Sequence, residues 1–363
     1  MKKYGLFAVC LLAAALLLAA CGSDDDTSSS TGSGASTAAA SGGKTGKIAL
    51  LLPESKTARY ETQDRPLFEK KVKELCSGCE VVYSNADQDA SKQQQQAEAA
   101  LTQGVKVMVL DPVDGAAAAT IVNQANQKGV PVISYDRLLL NSKPDYYVEF
   151  NSPSVGKIQG KALSEKLGGK GTIVMINGAP TDNNAKLFKQ GAHSVLDAAG
   201  IKIAKEYDTP DWSPDKAQSE MEQAITAVGK GKFQGVYAAN DGTAGGAIAA
   251  MKSAGIDPKT IPVTGQDAEL AAIQRILAGD QFMTVYKPIV PLANKAAEWA
   301  VMLVQGKKPT DATATENNGK ADIPTLKLPV TPVTKANVKE TVIKDGFWKA
   351  ADVCTGAYKQ ACT

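Results

Sequence analysis

The stretch Val132-Ile133-Ser134-Tyr135-Asp136-Arg137 is an apolar run that ends on an acid followed by a base. Short apolar runs of this kind are typical of strands buried in a parallel sheet between helices. In such sheets, ligands bind just beyond the carboxyl ends of the strands. Asp136 and Arg137 therefore form either a surface ion pair at a strand end or part of a ligand site.

Strand and helix patterns alternate on both sides of this stretch. Strand patterns cover residues 47–52, 80–83, 105–110, 131–134, 146–150, 172–176, 201–207, 235–238, 262–265 and 282–286. Helix patterns lie between many of them, at residues 64–75, 91–103, 116–128, 184–199, 214–229 and 244–255. The tail adds a helix at 288–305, an extended segment at 326–332 and a helix at 336–345.

This alternation predicts an α/β protein with right-handed crossovers and parallel sheets. Two successive sets of strands and helices indicate two Rossmann-like lobes. Because the tail supplies further elements after the second set, we expect the chain to pass between the lobes more than once. Such crossings form a hinge, with a ligand cleft between the strand ends.

The N-terminus predicts export and lipid anchoring. Lys2 and Lys3 precede an apolar core, and Leu18-Ala19-Ala20-Cys21 resembles the bacterial lipobox. We expect residues 1–20 to be a lipoprotein signal peptide, Cys21 to carry the lipid, and residues 21–45 to be a flexible linker, since they are mostly small and polar. The protein would then stay on the outer face of the bacterial cytoplasmic membrane.

Composition and cysteines narrow the class of protein. The 363 residues are 44% apolar and 21% charged, and loss of residues 1–20 leaves basic and acidic residues equal in number. No basic field for nucleic acid remains. Four cysteines outside the signal and lipid site predict two disulfides, Cys76 with Cys79 and Cys354 with Cys362. A zinc site made of all four is the alternative, but the second spacing is too long for a usual knuckle.

Side chains that can bind hydroxyl groups follow several predicted strands. They are Arg59, Asp136-Arg137, Asp182-Asn183-Asn184, Asn240-Asp241, Asp267 and Lys287. Carboxylates accept hydrogen bonds, Arg and Lys donate them and Asn does both, which suits a neutral ligand with many hydroxyls. Trp212 offers a flat face for a sugar ring. Taken singly, Asp182 and Asn240 also fit helix N-caps, and Trp212 fits a core residue.

Catalysis, metals and cofactors have no support in the pattern. The sequence has no G-x-S-x-G, H-E-x-x-H or P-loop motif, and its single histidine, His193, lies within a predicted helix. Residues 87–98 have the outline of a calcium loop, but Lys92 stands where the loop needs glycine. We expect a binding protein that is not an enzyme, with no cofactor and no metal.

Several motifs in order resemble the type I periplasmic binding proteins of bacterial ABC sugar importers, and among them the group that binds D-xylose. The likeness runs from about residue 47 to 347. Its most specific stretches are Arg59-Tyr60 with Asp64-Arg65, Ser134-Tyr135-Asp136-Arg137, Asp182-Asn183-Asn184, Asn240-Asp241-Gly242-Thr243, Gly265-Gln266-Asp267-Ala268, Thr284-Val285-Tyr286-Lys287 and Asp345-Gly346-Phe347.

The resemblance implies two lobes joined by three crossings, near residues 150, 287 and 327. The N-terminal lobe would comprise residues 46–150 plus 288–326, and the C-terminal lobe residues 151–287 plus 327–363. Hydroxyl contacts are implied for Arg59, Asp136, Arg137, Asn184, Asn240, Asp267 and Lys287, and ring stacking for Trp212 and Tyr60.

The implied function is capture of a monosaccharide, D-xylose first, by a monomer that delivers it to an ABC permease. The alternatives within the class are glucose, arabinose, galactose or a sugar acid as ligand. A sensor that presents the sugar to a signalling receptor is a second alternative. A sugar-responsive repressor shares the two-lobed core, but the exported N-terminus without a helix-turn-helix argues against it.

Overall fold

The computed structural model describes residues 44–356 and 358–359, which form an α/β protein with two main sheets, one mostly and one wholly parallel, and a small two-stranded antiparallel sheet. The predicted signal peptide, Cys21, nearly all of the predicted linker and Cys362 lie outside the described residues. Of the predicted disulfides, the Cys76–Cys79 bond is present. A zinc site built on these two thiolates is therefore wrong, because sulfurs joined in a disulfide are not thiolate ligands.

The first sheet has parallel strands in the order β2-β1-β3-β4-β5, with β2 at one edge of the sheet. Its strands are β1 (Lys47–Leu52), β2 (Glu80–Asn85), β3 (Val107–Leu110), β4 (Val132–Tyr135) and β5 (Tyr146–Phe150). They alternate with α1 (Arg65–Leu75), α2 (Ala90–Thr102) and α3 (Ala119–Gln127). The order reverses between β1 and β3, the position where doubly wound sheets bind ligands.

The second sheet follows after α4 (Ser152–Lys166). Its parallel strands lie in the order β7-β6-β8. The elements here are β6 (Thr172–Asn177), α5 (Asn183–Leu196), β7 (Lys202–Asp208), α6 (Pro214–Val228), β8 (Gly235–Ala238), α7 (Asp241–Ser253), α8 (Leu270–Ala278) and β9 (Met283–Tyr286). The predicted strand at 262–265 is an isolated bridge at Val263, whose neighbours hydrogen-bond to both β8 and β9.

The tail returns to both sheets. α9 (Ile289–Val304) packs on α1, and β11 (Asp322–Leu328) pairs with β5, with β10 (Ala314–Asn317) antiparallel at the edge. β12 (Thr331–Thr334) then pairs with β9. We call the first sheet with the helices packed on it the first layer, and the second sheet with β9 and its helices the second layer. The chain therefore passes between the two layers three times, after β5, after β9 and after β11.

Both faces of each sheet are covered, which explains the apolar runs. Ile48 and Leu50 pack with α1 and α9, whereas Ala49 and Leu51 pack with α2 and α3. Because successive side chains of a strand point to opposite faces, a strand covered on both sides has no polar face.

Two of the longer helices, α4 and α8, lie outside the predicted helix ranges. α4 has only a weak apolar stripe, yet it packs closely on α5, since a Cβ at Gly156 would lie 1.9 Å from the carbonyl oxygen of Phe188. Glycine permits this close approach of two backbones, so contact area replaces an apolar stripe. α8 was not predicted although its buried residues, Ala272, Ile273, Ile276 and Leu277, have helical spacing. The predicted helix at 336–345 is a π-helical turn, Lys339–Ile343, and the short α10 (Ala350–Val353) follows it.

Candidate functional site

The loops that follow the strands of both sheets surround one cavity. All nine side chains predicted as ligand contacts line it: Arg59, Tyr60, Asp136, Arg137, Asn184, Trp212, Asn240, Asp267 and Lys287. Thr57, Asp182, Phe188 and Gln266 complete the lining. The predicted ligand contacts did not include Thr57, Phe188 or Gln266. Of these three, only Gln266 could have been expected from its position, because it precedes Asp267 in the sequence.

Arg59 is the centre of a buried ion-pair network. Its Nε and Nη2 donate to the two carboxylate oxygens of Asp64, at 2.9 and 2.7 Å, and its Nη1 donates to Asp136 Oδ1 at 3.1 Å. Tyr135 donates its hydroxyl to the same Asp64 carboxylate. A bidentate pair with a further hydrogen bond fixes the guanidinium plane, so Arg59 is oriented by the protein itself.

Asp136 has a backbone conformation that few residues adopt, with φ of 59°. It directly follows β4, and its amide donates to the Val148 carbonyl oxygen at 3.0 Å. Burial alone would raise the pKa of the Asp136 carboxyl, but Arg59, Lys287 and Arg137 outweigh that effect and hold the pKa well below its usual range. Asp136 is therefore ionised at neutral pH and acts as a hydrogen-bond acceptor.

Arg137 lies among three carboxylates. Its Nε is 3.1 Å from Asp182 Oδ2 and 3.6 Å from Asp111 Oδ1, and its Nη2 is 3.6 Å from Glu54 Oε1. Trp212 donates its indole N–H to Asp182 Oδ2 at 3.0 Å. Asp182 thus joins the cation of the first layer to the aromatic ring of the second, besides capping α5 as the sequence pattern suggested.

Asn240 and Asn184 differ in which side-chain group is already hydrogen-bonded within the protein. Asn240 Oδ1 accepts from the Thr243 amide in a capping box at the start of α7, which leaves its NH₂ group for other partners. Asn184 donates through Nδ2, and its Oδ1 is buried without a hydrogen-bond partner among the described residues. One asparagine therefore offers donors to a ligand and the other an acceptor.

Asp267 and Lys287 form a further part of the cavity lining. Lys287 Nζ is 3.3 Å from Asp267 Oδ1 and lies over the rings of Phe150 and Phe188. Both residues are about 96% buried. Burial would lower the pKa of Lys287, but Asp267 and Asp136 raise it, so Lys287 stays charged and donates.

Buried carboxyl groups outnumber buried cations around the cavity. Six buried carboxyl groups surround the three cations: Glu54, Asp64, Asp111, Asp136, Asp182 and Asp267 around Arg59, Arg137 and Lys287. Burial raises the pKa of Asp111 well above its usual value, and both of its oxygens lack a hydrogen-bond partner among the described residues. Burial therefore disfavours the charged form of Asp111 and reduces the excess of negative charge, which suits an uncharged ligand.

The described part of the chain contains no group of three or more His, Cys, Asp or Glu side chains arranged to hold a metal ion. Among residues 44–356, no helix is both long and apolar enough to cross a membrane.

Comparison with known proteins gives consistent matches. The family model described as "Periplasmic binding protein domain" matches residues 48–308. The D-xylose-binding periplasmic protein of Escherichia coli is 40% identical over 85% of this chain and 93% of its own length. The multiple sugar-binding periplasmic receptor ChvE of Rhizobium radiobacter is 32% identical over 84% of this chain and 91% of its own.

Solved structures agree on the fold. A carbohydrate transporter solute-binding protein from Chloroflexus aurantiacus, in complex with D-glucose, superposes with a TM-score of 0.77 at 32% identity, covering 85% of this chain and 98% of the other. An ABC transporter solute-binding protein from Clostridium phytofermentans, with bound β-D-glucose, gives a TM-score of 0.76 at 28% identity, covering 85% of this chain and 99% of the other. The chain therefore belongs to the periplasmic binding protein family.

Proposed function

We propose that this protein captures one monosaccharide, D-xylose, in the cavity between its two layers and delivers it to an ABC permease in the membrane. The observation that carries the proposal is the convergence of nine polar and aromatic side chains on one cavity. The identity of 40% to the D-xylose-binding protein of Escherichia coli supports D-xylose as the ligand.

In the proposed mechanism the two layers close on the sugar, and no covalent bond is made or broken. Arg59, Asp136 and Arg137 come from the first layer, while Asn184, Asn240 and Trp212 come from the second. A sugar between them gains contacts from both only when the layers are close, so its higher affinity for the closed form drives closure. Direct contacts already join the layers here, because Gln88 Nε2 donates to the Asp211 carbonyl oxygen at 3.2 Å.

Calorimetric titration with D-xylose, D-glucose, L-arabinose and D-galactose tests the ligand. We expect saturable binding of one D-xylose per chain, and no heat with the Asp136→Asn variant. A strong D-glucose signal beside a flat D-xylose trace would show that D-xylose is the wrong ligand. Absence of heat from every sugar would refute the proposed function itself.

A hexose is the second candidate. The Chloroflexus and Clostridium relatives carry D-glucose in their structures, and ChvE is described as binding multiple sugars. A xylose-specific site needs a wall where the sixth carbon of a hexose would project. The ratio of the D-xylose and D-glucose dissociation constants in the same titration separates a specific receptor from a broad one.

The proposed place of action is the outer face of the cytoplasmic membrane, with a lipid on Cys21 and the protein acting as a monomer. Support comes from the signal and lipobox pattern in residues 1–21. A labelled fatty acid should be incorporated into the wild-type protein and not into the Cys21→Ser variant. A wild-type protein that takes up no label would contradict the anchor.

A further inference from the structure

The side-chain amide of Asn184 has only one possible orientation. Its Nδ2 is 2.9 Å from the carbonyl oxygen of Asp136 and 3.4 Å from Glu149 Oε2. A backbone carbonyl oxygen can only accept, so the NH₂ group must face it and Oδ1 must point the other way. Oδ1 is the atom that has no partner among the described residues, and Asn184 lines the ligand cavity.

Glu149 stands beside the first crossing between the layers. It is 1% exposed near the end of β5, and Ser152 Oγ, at the start of α4, donates to its Oε1 at 2.8 Å. Its two carboxyl oxygens therefore accept from Ser152 and Asn184, both of which follow the crossing. Glu149 does not contribute to the lining of the ligand cavity, but it borders a neighbouring cavity of about 270 Å³.

We propose that Glu149 is a positioning residue for sugar recognition, which holds Asn184 so that Oδ1 accepts a hydrogen bond from a sugar hydroxyl. The proposal rests on the proposed function. The remaining anchor of Asn184, the Asp136 carbonyl oxygen, also accepts from the Tyr147 hydroxyl at 3.1 Å. Without Glu149, Asn184 keeps one shared acceptor, and the amide is free to turn away from the ligand.

The charge of Glu149 is not needed for this role. Burial and the nearby charge of Asp136 raise the pKa of Glu149 well above its usual value. A protonated carboxyl still offers one acceptor oxygen to Asn184 and one hydroxyl to Ser152. Glutamine has the same shape and the same pair of groups, so Glu149→Gln should preserve the arrangement, whereas Glu149→Leu keeps the volume and removes the acceptor.

A double-mutant cycle on the full chain tests the proposal, with D-xylose affinity measured by calorimetry. Glu149→Leu is expected to weaken binding roughly tenfold, which is within the range for the loss of one hydrogen bond. Glu149→Gln should weaken binding by less than about twofold. In an Asn184→Ala background, Glu149→Leu should change affinity by less than about twofold. Equal losses in both backgrounds, or a loss with Gln as large as with Leu, would overturn the positioning role.

Ser152→Ala gives a second, milder variant in case Glu149→Leu does not fold, as judged by thermal unfolding. It removes only the hydrogen bond that holds Glu149 Oε1, and we expect roughly threefold weaker binding that disappears when Asn184 is absent. A loss that persists without Asn184 contradicts the proposal. Titration of the wild-type protein distinguishes failure of the proposed function from failure of the role of Glu149. A wild-type protein that binds no sugar refutes the function. Sugar binding by the wild-type protein, with additive effects in the double-mutant cycle, refutes only the role of Glu149.

Discussion

The hydroxyl of Tyr60 donates to Asp136 Oδ2 at 2.8 Å, on the same carboxylate whose Oδ1 accepts from Arg59 Nη1 at 3.1 Å. Both oxygens of Asp136 are thus held by the first layer before any ligand contact. The family resemblance implies ring stacking for Tyr60, and the structure adds a hydrogen bond that a phenylalanine could not make. Tyr60 therefore helps to orient the Asp136 carboxylate, which lines the cavity.

Tyr60→Phe keeps the ring and removes this hydrogen bond. We expect roughly tenfold weaker D-xylose binding, because a hydrogen bond to a charged acceptor is lost and Asp136 becomes free to turn. Calorimetric titration measures the change. Tyr83→Phe is the matched control, since the Tyr83 hydroxyl donates to Glu61 away from the cavity. Equal effects of the two substitutions would contradict the role of Tyr60.

Replacement of Asp136 should abolish sugar binding and leave the fold largely intact. Asp136→Ala removes the acceptor, but it also places alanine at a positive φ, which costs on the order of 1 kcal/mol. Asp136→Asn avoids that cost, since Asn tolerates this conformation, and it removes only the charge. Titration and thermal unfolding of both variants separate binding from folding. Normal affinity in the Asn variant would show that the carboxylate is not a ligand contact.

Gly178 leaves space for the indole of Trp212. A Cβ at this position would lie 2.0 Å from Trp212 Cη2, so Gly178→Ala must displace the ring and its hydrogen bond to Asp182. We expect at least roughly tenfold weaker sugar binding, together with overpacking that lowers the free energy of unfolding by about 1–3 kcal/mol. Gly242→Ala is the control, because its nearest neighbour would be 3.5 Å away. Wild-type affinity in Gly178→Ala would exclude a fixed indole as a requirement.

Gln88 joins the two layers without belonging to the cavity lining. Its φ is 65° and its side chain reaches the Asp211 carbonyl oxygen at 3.2 Å. Gln88→Asn tolerates the same backbone but is one methylene too short. We expect roughly two- to fivefold weaker binding through faster sugar release, measured by stopped-flow fluorescence. Gln94→Asn, whose contacts with Glu98 and Gln124 stay within the first layer, should leave the release rate unchanged.

Glu269 makes stability depend on pH. Burial, with the nearby charges of Asp241 and Asp267, raises its pKa from 4.5 to about 8. The unfolded chain loses this proton near pH 4.5 while the folded protein keeps it, so the free energy of unfolding falls as pH rises from about 4.5 to 8. Glu269→Gln should flatten urea-unfolding free energies measured across this range. Parallel profiles for the two proteins would contradict the raised pKa.

Much of this architecture follows from local pattern. The apolar runs of β1, β3 and β4 are strands because only a sheet covered on both faces buries such runs completely. The ends of these strands then place Asp136 and Arg137 in the lining of the cavity. α4 escaped the pattern because Gly156 makes backbone contact where a stripe of large apolar residues would otherwise be expected.

The partners of each side chain were decided only by the tertiary structure. The sequence alone established an α/β chain with side chains at its strand ends that can hydrogen-bond hydroxyl groups, since periodicity and spacing are local properties. It did not show that Asp182 links Arg137 to Trp212, or that Glu149 faces Asn184 across a crossing. Those contacts join residues 30 to 45 positions apart, and no local pattern specifies them. They arise when three crossings bring two sheets together, because only then do the buried polar groups of one layer find their partners in the other.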